Sequence, residues 1–445
     1  STWDGPFQIQ GGVYQYREGS NYFNTNARYA GQAQLAAPLG GPANPERSYA
    51  RAGSVNRSES YAAYTQADYS FNDQWKLTGG LRYTFDRKQS EEAARLICFL
   101  APSCARFGAV AVDISAATYN PDAAALAGGP TAPALDEGVV NPAYTDPTTG
   151  LRKRLLRKDW QAWTGTVGLD WTPDADTLVY GKYTRGYKAG GFNSGSLQQY
   201  PTTDAEFIDA FELGAKKTFF GRFQANASVY YYDYQGIQVP LTGINPSTGL
   251  SQTDFFNLEG ATIKGFELET IWSPIQNLQI LANYSYLDTE IQDSGYYNDA
   301  EDPAALQPEA QPRPGSTGAN RPQSINGAQL PSSTPHRVTV NVNYTFDFDA
   351  GSLTPSLSYV WRDDTYYSIF NRYYNKAKAF EQVDARAIFV DADDRFTVIG
   401  YVKNVFDVTG FSGVSGSRNP GNGFINQTVS LVQPRTYGVE LQYRF

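Results

Sequence analysis

Two sets of residues bring cations next to aromatic rings: Arg185, Tyr187, Lys188 and Phe192, and Tyr366, Tyr367 and Arg372. Rings of this kind hold a small molecule by apolar and cation–π contact, while the cations draw in negative charge. Tyrosine-rich rims also stack on sugars. A cationic run, Arg152, Lys153, Arg154, Arg157 and Lys158, suits lipopolysaccharide phosphates or an anionic ligand, and equally a solvated loop end. Asp293, Asp299, Glu301 and Asp302 carry oxygen donors for Ca²⁺, but their spacing lacks the regularity of a dedicated loop, so no metal site is expected. His336 beside Pro335 reads as a rim residue. Gly190-Gly191 follows a strand and opens no helix, which argues against a phosphate loop. With one His and two Cys in 445 residues, a His-based triad or a structural zinc site would need nearly every candidate ligand. Neither an enzyme nor a resident cofactor is expected. A net charge of -9 has the wrong sign for a nucleic-acid partner.

The elements that must position these groups are strands. Apolar and polar residues alternate with period 2 in segments of about 9 to 13 residues, a length suited to tilted strands crossing a bilayer. From Trp75, the residues Trp75, Leu77, Gly79, Leu81, Tyr83 and Phe85 share one face, and Lys76, Thr78, Gly80, Arg82, Thr84 and Asp86 share the other. The same arithmetic gives Val338, Val340, Val342, Tyr344 and Phe346 against Thr339, Asn341, Asn343 and Thr345. Mixed charges such as Lys76, Arg82, Asp86, Glu212, Lys216, Glu267 and Glu269 fall on the polar face and suit a hydrated interior. About fourteen strands are expected, near 6–16, 56–70, 74–86, 158–172, 176–187, 206–219, 222–235, 256–272, 276–290, 335–348, 351–366, 378–391, 395–405 and 432–445.

Every second connection is a short turn of Asp, Asn, Pro or Gly, as in Phe71-Asn72-Asp73-Gln74 and Phe220-Gly221. The intervening loops are long: about seventy residues from Arg87 to Arg157 and about forty from Gln292 to Thr334. This sorting predicts an all-β transmembrane antiparallel up-and-down barrel, with turns in the periplasm and loops outside. No stretch of about 18 uninterrupted apolar residues exists, which excludes a helical membrane protein and leaves the barrel open. Trp75, Trp171, Phe219, Phe220, Trp272, Phe346, Phe348 and Phe445 beside the short turns form one aromatic girdle. Tyr187, Tyr231, Tyr234, Tyr286, Tyr366 and Tyr367 near the long loops supply a second belt. Cys98 and Cys104 lie in the first long loop, where an extracellular setting favours a disulfide between them over two unpaired thiols.

Leu178 to Asn193 (LVYGKYTRGYKAGGFN), Phe211 to Lys217 (FELGAKK), Ile263 to Glu269 (IKGFELE), Lys403-Asn404-Val405-Phe406-Asp407 and Pro434-Arg435-Thr436-Tyr437-Gly438 through Phe445 together resemble the C-terminal half of TonB-dependent outer-membrane receptors. In this order and spacing they span nearly the whole chain. The resemblance implies that residues 1–445 are a partial receptor barrel in the bacterial outer membrane. The fourteen strands would then be the last of 22, with the plug and TonB box outside this sequence. It implies uptake of a scarce nutrient, an iron-siderophore by default, energised by the TonB-ExbB-ExbD complex. Uptake of an oligosaccharide or aromatic compound, or a complete fourteen-stranded passive channel, are the alternatives. Arg185, Tyr187, Lys188, Phe192, Tyr366, Tyr367 and Arg372 become candidate contacts of a ferric catecholate or hydroxamate above the plug. Val439, Leu441, Tyr443 and Phe445 resemble the signal read by the barrel assembly machinery. The opening Ser1-Thr2-Trp3, without an initiator Met, is expected to lie inside a longer gene product.

Overall fold

The computed structural model describes residues 5–25, 50–98, 112–113, 138–194, 201–244, 251–297, 323–418 and 425–445. Fourteen long strands follow one another as an antiparallel meander. They are β1 (Phe7–Thr25), β2 (Ala50–Ser70), β3 (Trp75–Cys98), β4 (Arg152–Asp174), β5 (Thr177–Lys188), β6 (Glu206–Phe219) and β7 (Phe223–Gln235). The second half contains β8 (Gly260–Trp272), β9 (Leu278–Gln292), β10 (His336–Tyr344, continued by Phe346–Phe348), β11 (Gly351–Arg362), β12 (Phe380–Asp391), β13 (Phe396–Lys403) and β14 (Thr436–Tyr443). Each strand pairs with its neighbours in sequence; among the described residues β1 pairs only with β2 and β14 only with β13. The described strands therefore form an open sheet, and the self-closing fourteen-stranded channel expected as an alternative is not what they build.

Local chemistry explains the short turns. The Asn72 carboxamide oxygen accepts the N–H groups of Gln74 (2.9 Å) and Trp75 (3.0 Å), and Asp391 does the same for Arg395 (2.7 Å) and Phe396 (2.6 Å). Phe220 (φ 53°) and Gly221 (φ 64°) both adopt the left-handed region inside the tight turn that the Arg222 N–H closes on the Phe219 carbonyl (3.1 Å).

The alternating faces are inverted relative to a water-soluble sheet. Leu81 is 50% exposed, Val167 55% and Leu213 57%, whereas their polar neighbours Arg82, Thr166 and Glu212 lie half-buried or between. All eight girdle residues beside the short turns are exposed. Trp75 stacks on Trp171 (5.7 Å) and Phe219 on Phe223 (5.8 Å). A second exposed set, Trp163, Phe211, Tyr231 and Tyr286, sits further along β4, β6, β7 and β9, eight residues from Trp171 and Phe219 on the first two. Eight residues are about 26 Å of strand, and about 20 Å of height at a tilt of about 40°, near the height of an outer-membrane apolar band. Tyr231 and Tyr286 thus occupy the expected outer belt. Tyr187, Tyr234, Tyr366 and Tyr367 do not, because contacts with neighbouring residues and loops claim them.

Tyrosine and glycine are paired across strands at four places. Tyr64 opposes Gly12, Tyr180 opposes Gly214, Tyr230 opposes Gly265 and Tyr401 opposes Gly438. In each pair a Cβ on the glycine would come within 2.1–2.7 Å of the ring, so the ring lies flat over the glycine. The missing side chain makes room for the ring, which locks the register.

Two features exceed the expectation. β2, β3 and β4 run to 21, 24 and 23 residues, well past a bilayer's needs, because the charged tails continue the ladder. There the Arg154 guanidinium pairs with the Glu92 carboxylate, both side chains fully buried. Second, the long loops have an apolar core of their own. Ile237, Val239, Leu241, Phe256, Leu258, Ile291, Tyr297, Ile325, Ile369 and Phe370 pack together from the connections after β7, β9 and β11.

Candidate functional site

The inward faces of β1 and β3 and the end of β5 enclose a cleft of about 500 Å³ lined by Tyr14, Tyr16, Glu18, Arg82, Asp86, Lys88 and Tyr187. Strand parity explains the convergence: Tyr14, Tyr16 and Glu18 lie opposite Ala62, Ser60 and Ser58, which lie opposite Thr84, Asp86 and Lys88. The Arg82 guanidinium stands 5.3 Å from the Tyr14 ring centre, and the Tyr16 hydroxyl donates to Glu18 at 2.9 Å. The volume fits a small molecule, and rings, cations and carboxylates all reach the cleft.

Beside it, Trp160 is 7% exposed and lies between two ammonium groups, Lys88 at 5.8 Å and Lys158 at 5.6 Å from its ring. Phe192 meets it edge-on at 5.8 Å. Gly190 is required here: a Cβ would fall 2.3 Å from the Trp160 indole nitrogen and 2.1 Å from the Thr203 carbonyl. The Gly190-Gly191 pair is thus a packing device. Asn193 closes the segment by exchanging hydrogen bonds with the Phe255 backbone, donating at 2.5 Å and accepting at 2.7 Å. Glu206, 4% exposed, collects Lys188 (2.8 Å), the Tyr234 hydroxyl (2.6 Å) and the Gln238 N–H (2.8 Å). A buried carboxylate with three donors is satisfied, and it anchors the β5 and β7 ends.

The seven expected ligand contacts do not converge. Tyr187 lines the cleft, Phe192 packs on Trp160 and Lys188 is held by Glu206. Arg185 lies on the opposite, outward face with Tyr183 and Phe211; its guanidinium pairs with Asp209 at 2.6 Å and covers the Phe207 ring at 5.0 Å. Period-2 counting from Val179, which lies opposite Trp171, places it there. Tyr187 has the same parity, but the β4–β5 ladder ends at Gly165–Arg185, and the strand end beyond it reaches the cleft. Tyr366, Tyr367 and Arg372 belong to the loop between β11 and β12, six strands away. The Tyr367 hydroxyl donates to the Ser412 carbonyl (2.7 Å), and the Lys376 ammonium covers the Tyr366 ring at 5.2 Å. Asp364, beside the same ammonium, has its carboxyl held below the ordinary range by Lys376. Arg372 precedes a single helical turn, Tyr373–Asn375.

Other expectations sort as follows. Three members of the cationic run are already engaged: Lys153 with Asp146 (3.0 Å), Arg154 with Glu92, and Lys158 with Asp204 (3.4 Å). The Asp146 carboxyl is held at about 2 by the Lys153 ammonium and by the N–H groups of Thr148 and Thr149. Asp293 accepts from Glu259 N–H (2.9 Å), Gly295 N–H (2.7 Å) and the Tyr297 hydroxyl (2.9 Å), which leaves its oxygens filled by donors rather than open to a cation. Burial and that carboxylate push the Tyr297 hydroxyl up. His336 Nδ1 lies 2.9 Å from the Tyr284 hydroxyl at the rim. The Cys98 side chain, Cys104, Asp299, Glu301 and Asp302 lie outside the described residues. Sequence reasoning placed Arg82 and Asp86 on the inner face but missed Tyr14, Tyr16, Lys88, Trp160 and Glu206. The even-numbered face of β1 carried the signal for the first two; Glu206 needed the spatial neighbours.

Two of the motifs that carried the resemblance, Lys403–Asp407 and the segment from Pro434, meet in space. Asn404 (φ 51°), 1% exposed, donates to the carbonyls of Val408 (2.9 Å) and Gln433 (3.1 Å) and accepts from the Val408 N–H (2.9 Å). Asp407 accepts the Arg435 N–H at 2.9 Å.

A family model described as TonB dependent receptor-like, beta-barrel, matches residues 1–405. Similar solved structures include the ferric yersiniabactin uptake receptor FyuA from Yersinia pestis (TM-score 0.67, 15% identity, 100% of this chain and 52% of that one). Another is the siderophore receptor PiuA from Acinetobacter baumannii (TM-score 0.56, 17% identity, 87% of this chain and 43% of that one). The copper transporter OprC is a third (TM-score 0.59, 13% identity, 100% and 55%). The chain spans about half the length of the solved structures it matches.

Proposed function

We propose, for a chain that belongs to the TonB-dependent receptor β-barrel family, a role in taking up a scarce nutrient, an iron-siderophore complex, across the outer membrane. The bacterial outer membrane is its location. In this reading the fourteen strands are part of a 22-stranded wall, and the TonB-ExbB-ExbD complex acts on a plug inside it. Uptake asks for no covalent step: the ligand binds outside, the plug is remodelled and the solute passes inward. The assembly machinery takes hold of the last strand, whose Val439, Leu441 and Tyr443, with Phe445 beyond it, are all exposed.

The observation that carries this reading is the cleft under the loops, where Tyr14, Tyr16 and Tyr187 stand with Arg82 and Lys88. Arene and cation together suit a ferric catecholate, whose net charge is negative, and the rings alone suit the neutral core of a ferric hydroxamate. Glu18 and Asp86 in the same cleft favour a second reading, a neutral oligosaccharide whose hydroxyls need acceptors as well as rings. Growth of a receptor-deletion strain complemented with the full-length gene, on a panel of ferric chelates and glycans, separates the two. The chelate reading expects Lys88→Ala to weaken ferric-chelate binding about tenfold, equivalent to about 1.4 kcal/mol. Growth on a glycan alone supports the second reading. Uptake that persists without the inner-membrane energy source overturns active transport.

A further inference from the structure

We propose that the outward face of β2, β3 and β4, above the membrane, binds a phosphate of lipopolysaccharide between Arg57 and Arg157. The site is independent of what the receptor transports.

β1 to β4 hold 19 to 24 residues each, whereas no later strand exceeds 15. The outward face of the surplus carries two rungs of opposite design. On the lower one Arg17, Glu59, Arg87 and Asp159 lie opposite one another across the four strands. They neutralise in pairs, Arg17 with Glu59 at 3.5 Å and Arg87 with Asp159 at 2.9 Å. Two residues higher the rung reads Gly19, Arg57, Gln89 and Arg157, with two cations and no anion. Both arginines are exposed, and among the described residues neither side chain makes a hydrogen bond or ion pair. Glu91, one rung higher, acts on the Lys153 ammonium instead. Arg57 and Arg157 stand one strand to either side of Gln89, so their backbones are about 10 Å apart. Two guanidinium side chains span that gap to one phosphate, each offering paired N–H donors, with the Gln89 amide between them as a further donor.

Height selects the occupant. Gln89 lies six residues beyond Tyr83, whose ring centre is 4.9 Å from that of Trp163 in the outer belt. Six residues of a strand tilted by about 40° rise about 15 Å. The headgroup layer of a bilayer is only about 5 to 8 Å deep on each side, so a phospholipid phosphate would lie below this rung. The phosphorylated sugars of lipopolysaccharide extend through it. Charge selects the side of the wall. Above the same belt on β6, β7 and β9, the outward residues Asp209, Asp233, Asp288 and Glu290 outnumber the cations Arg185 and Lys264 beside them, and that zone repels a phosphate. Of the cationic run from Arg152 to Lys158, Arg157 is the member that this geometry assigns to lipopolysaccharide.

The test uses the full-length protein in detergent, stripped of bound lipid and titrated with three probes: rough-type lipopolysaccharide, the same material dephosphorylated with hydrofluoric acid, and phosphatidylglycerol. Native mass spectrometry counts the copies bound. The site predicts that Arg57→Gln and Arg157→Gln each weaken binding of intact lipopolysaccharide about tenfold. Dephosphorylated material should bind the unmodified protein no better than intact material binds the double variant. Arg185→Gln, on the acidic side, should bind within about twofold of the unmodified protein, since its guanidinium is already held by Asp209. Heat-modifiable electrophoretic migration checks that each variant is folded, and the comparison of intact with dephosphorylated probe needs no variant. Unchanged affinity in both arginine variants would overturn the proposal. So would an equal loss in Arg185→Gln, which would reduce the effect to overall charge, or a parallel loss of phosphatidylglycerol, which would assign the rung to phospholipid headgroups.

Discussion

Single side chains here act mainly by closing backbone. Asn404 is almost fully buried, and its amide satisfies two carbonyls and one N–H that the loop after β13 would otherwise leave unpaired. Its left-handed φ is one that asparagine tolerates better than most residues. Asn404→Ala is expected to destabilise that loop by about 1–3 kcal/mol for each group stranded, read as faster proteolysis between 404 and 435 with the barrel intact. Asp146 makes a pH-dependent contribution. Its carboxyl is depressed to about 2 in the folded hairpin, chiefly by Lys153. The stability it adds is complete above the ordinary carboxylate value and is lost as pH falls through about 2. Amide exchange at Gly150 and Leu151, whose neighbours carry those hydrogen bonds, should quicken as pH drops from 4 toward 2 once intrinsic exchange is corrected for. In Lys153→Ala that acceleration should begin at a higher pH.

Elements are registered by shape. The tyrosine rings over Gly12, Gly214, Gly265 and Gly438 fill space that a side chain would occupy, so Gly265→Val should displace Tyr230 and cost about 1–3 kcal/mol. Denaturant unfolding in detergent would measure it; an unchanged midpoint would show that the ring contributes nothing to register. In the loop core, Leu258 and Ile291 are fully buried. Truncating either to Ala should cost about 2–5 kcal/mol of loop stability. Hydrogen exchange should then rise in the paired loop segments Gln238–Ile244 and Ser251–Asn257 while the β7–β8 ladder below keeps its protection. Loss of protection in both would show that loops and wall unfold as one unit.

For the whole molecule the governing fact is the inside-out sheet. Leu81, Val340 and Leu441 belong to the outward face, and Arg82, Thr339 and Gln442 to the inward one. A lipid-soluble label is expected to modify cysteines placed at the first three and spare those at the second three, with a water-soluble thiol reagent giving the reverse. Identical labelling of both sets would remove the membrane reading altogether. The cleft of about 500 Å³ and the loop core lie at the same end of the sheet.

Strand number, facing and most boundaries were legible in the sequence, because period-2 alternation and Asp, Asn or Gly turns act between residues a few positions apart. β6 and β7 begin and end within a residue of the expected limits for that reason. The upper parts of β3 and β4 read as loop because their charge hides the alternation; only when Glu92 met Arg154, 62 residues away, did burial make sense of them. Lys153 and Lys158 looked like free cations until the fold brought Asp146 and Asp204 to them. Arg185 was assigned by residue type to a ligand site, and the parity of its strand turned it to the opposite face. Pairing across long sequence separations, and which groups are left over once it is complete, is a property of the folded chain alone.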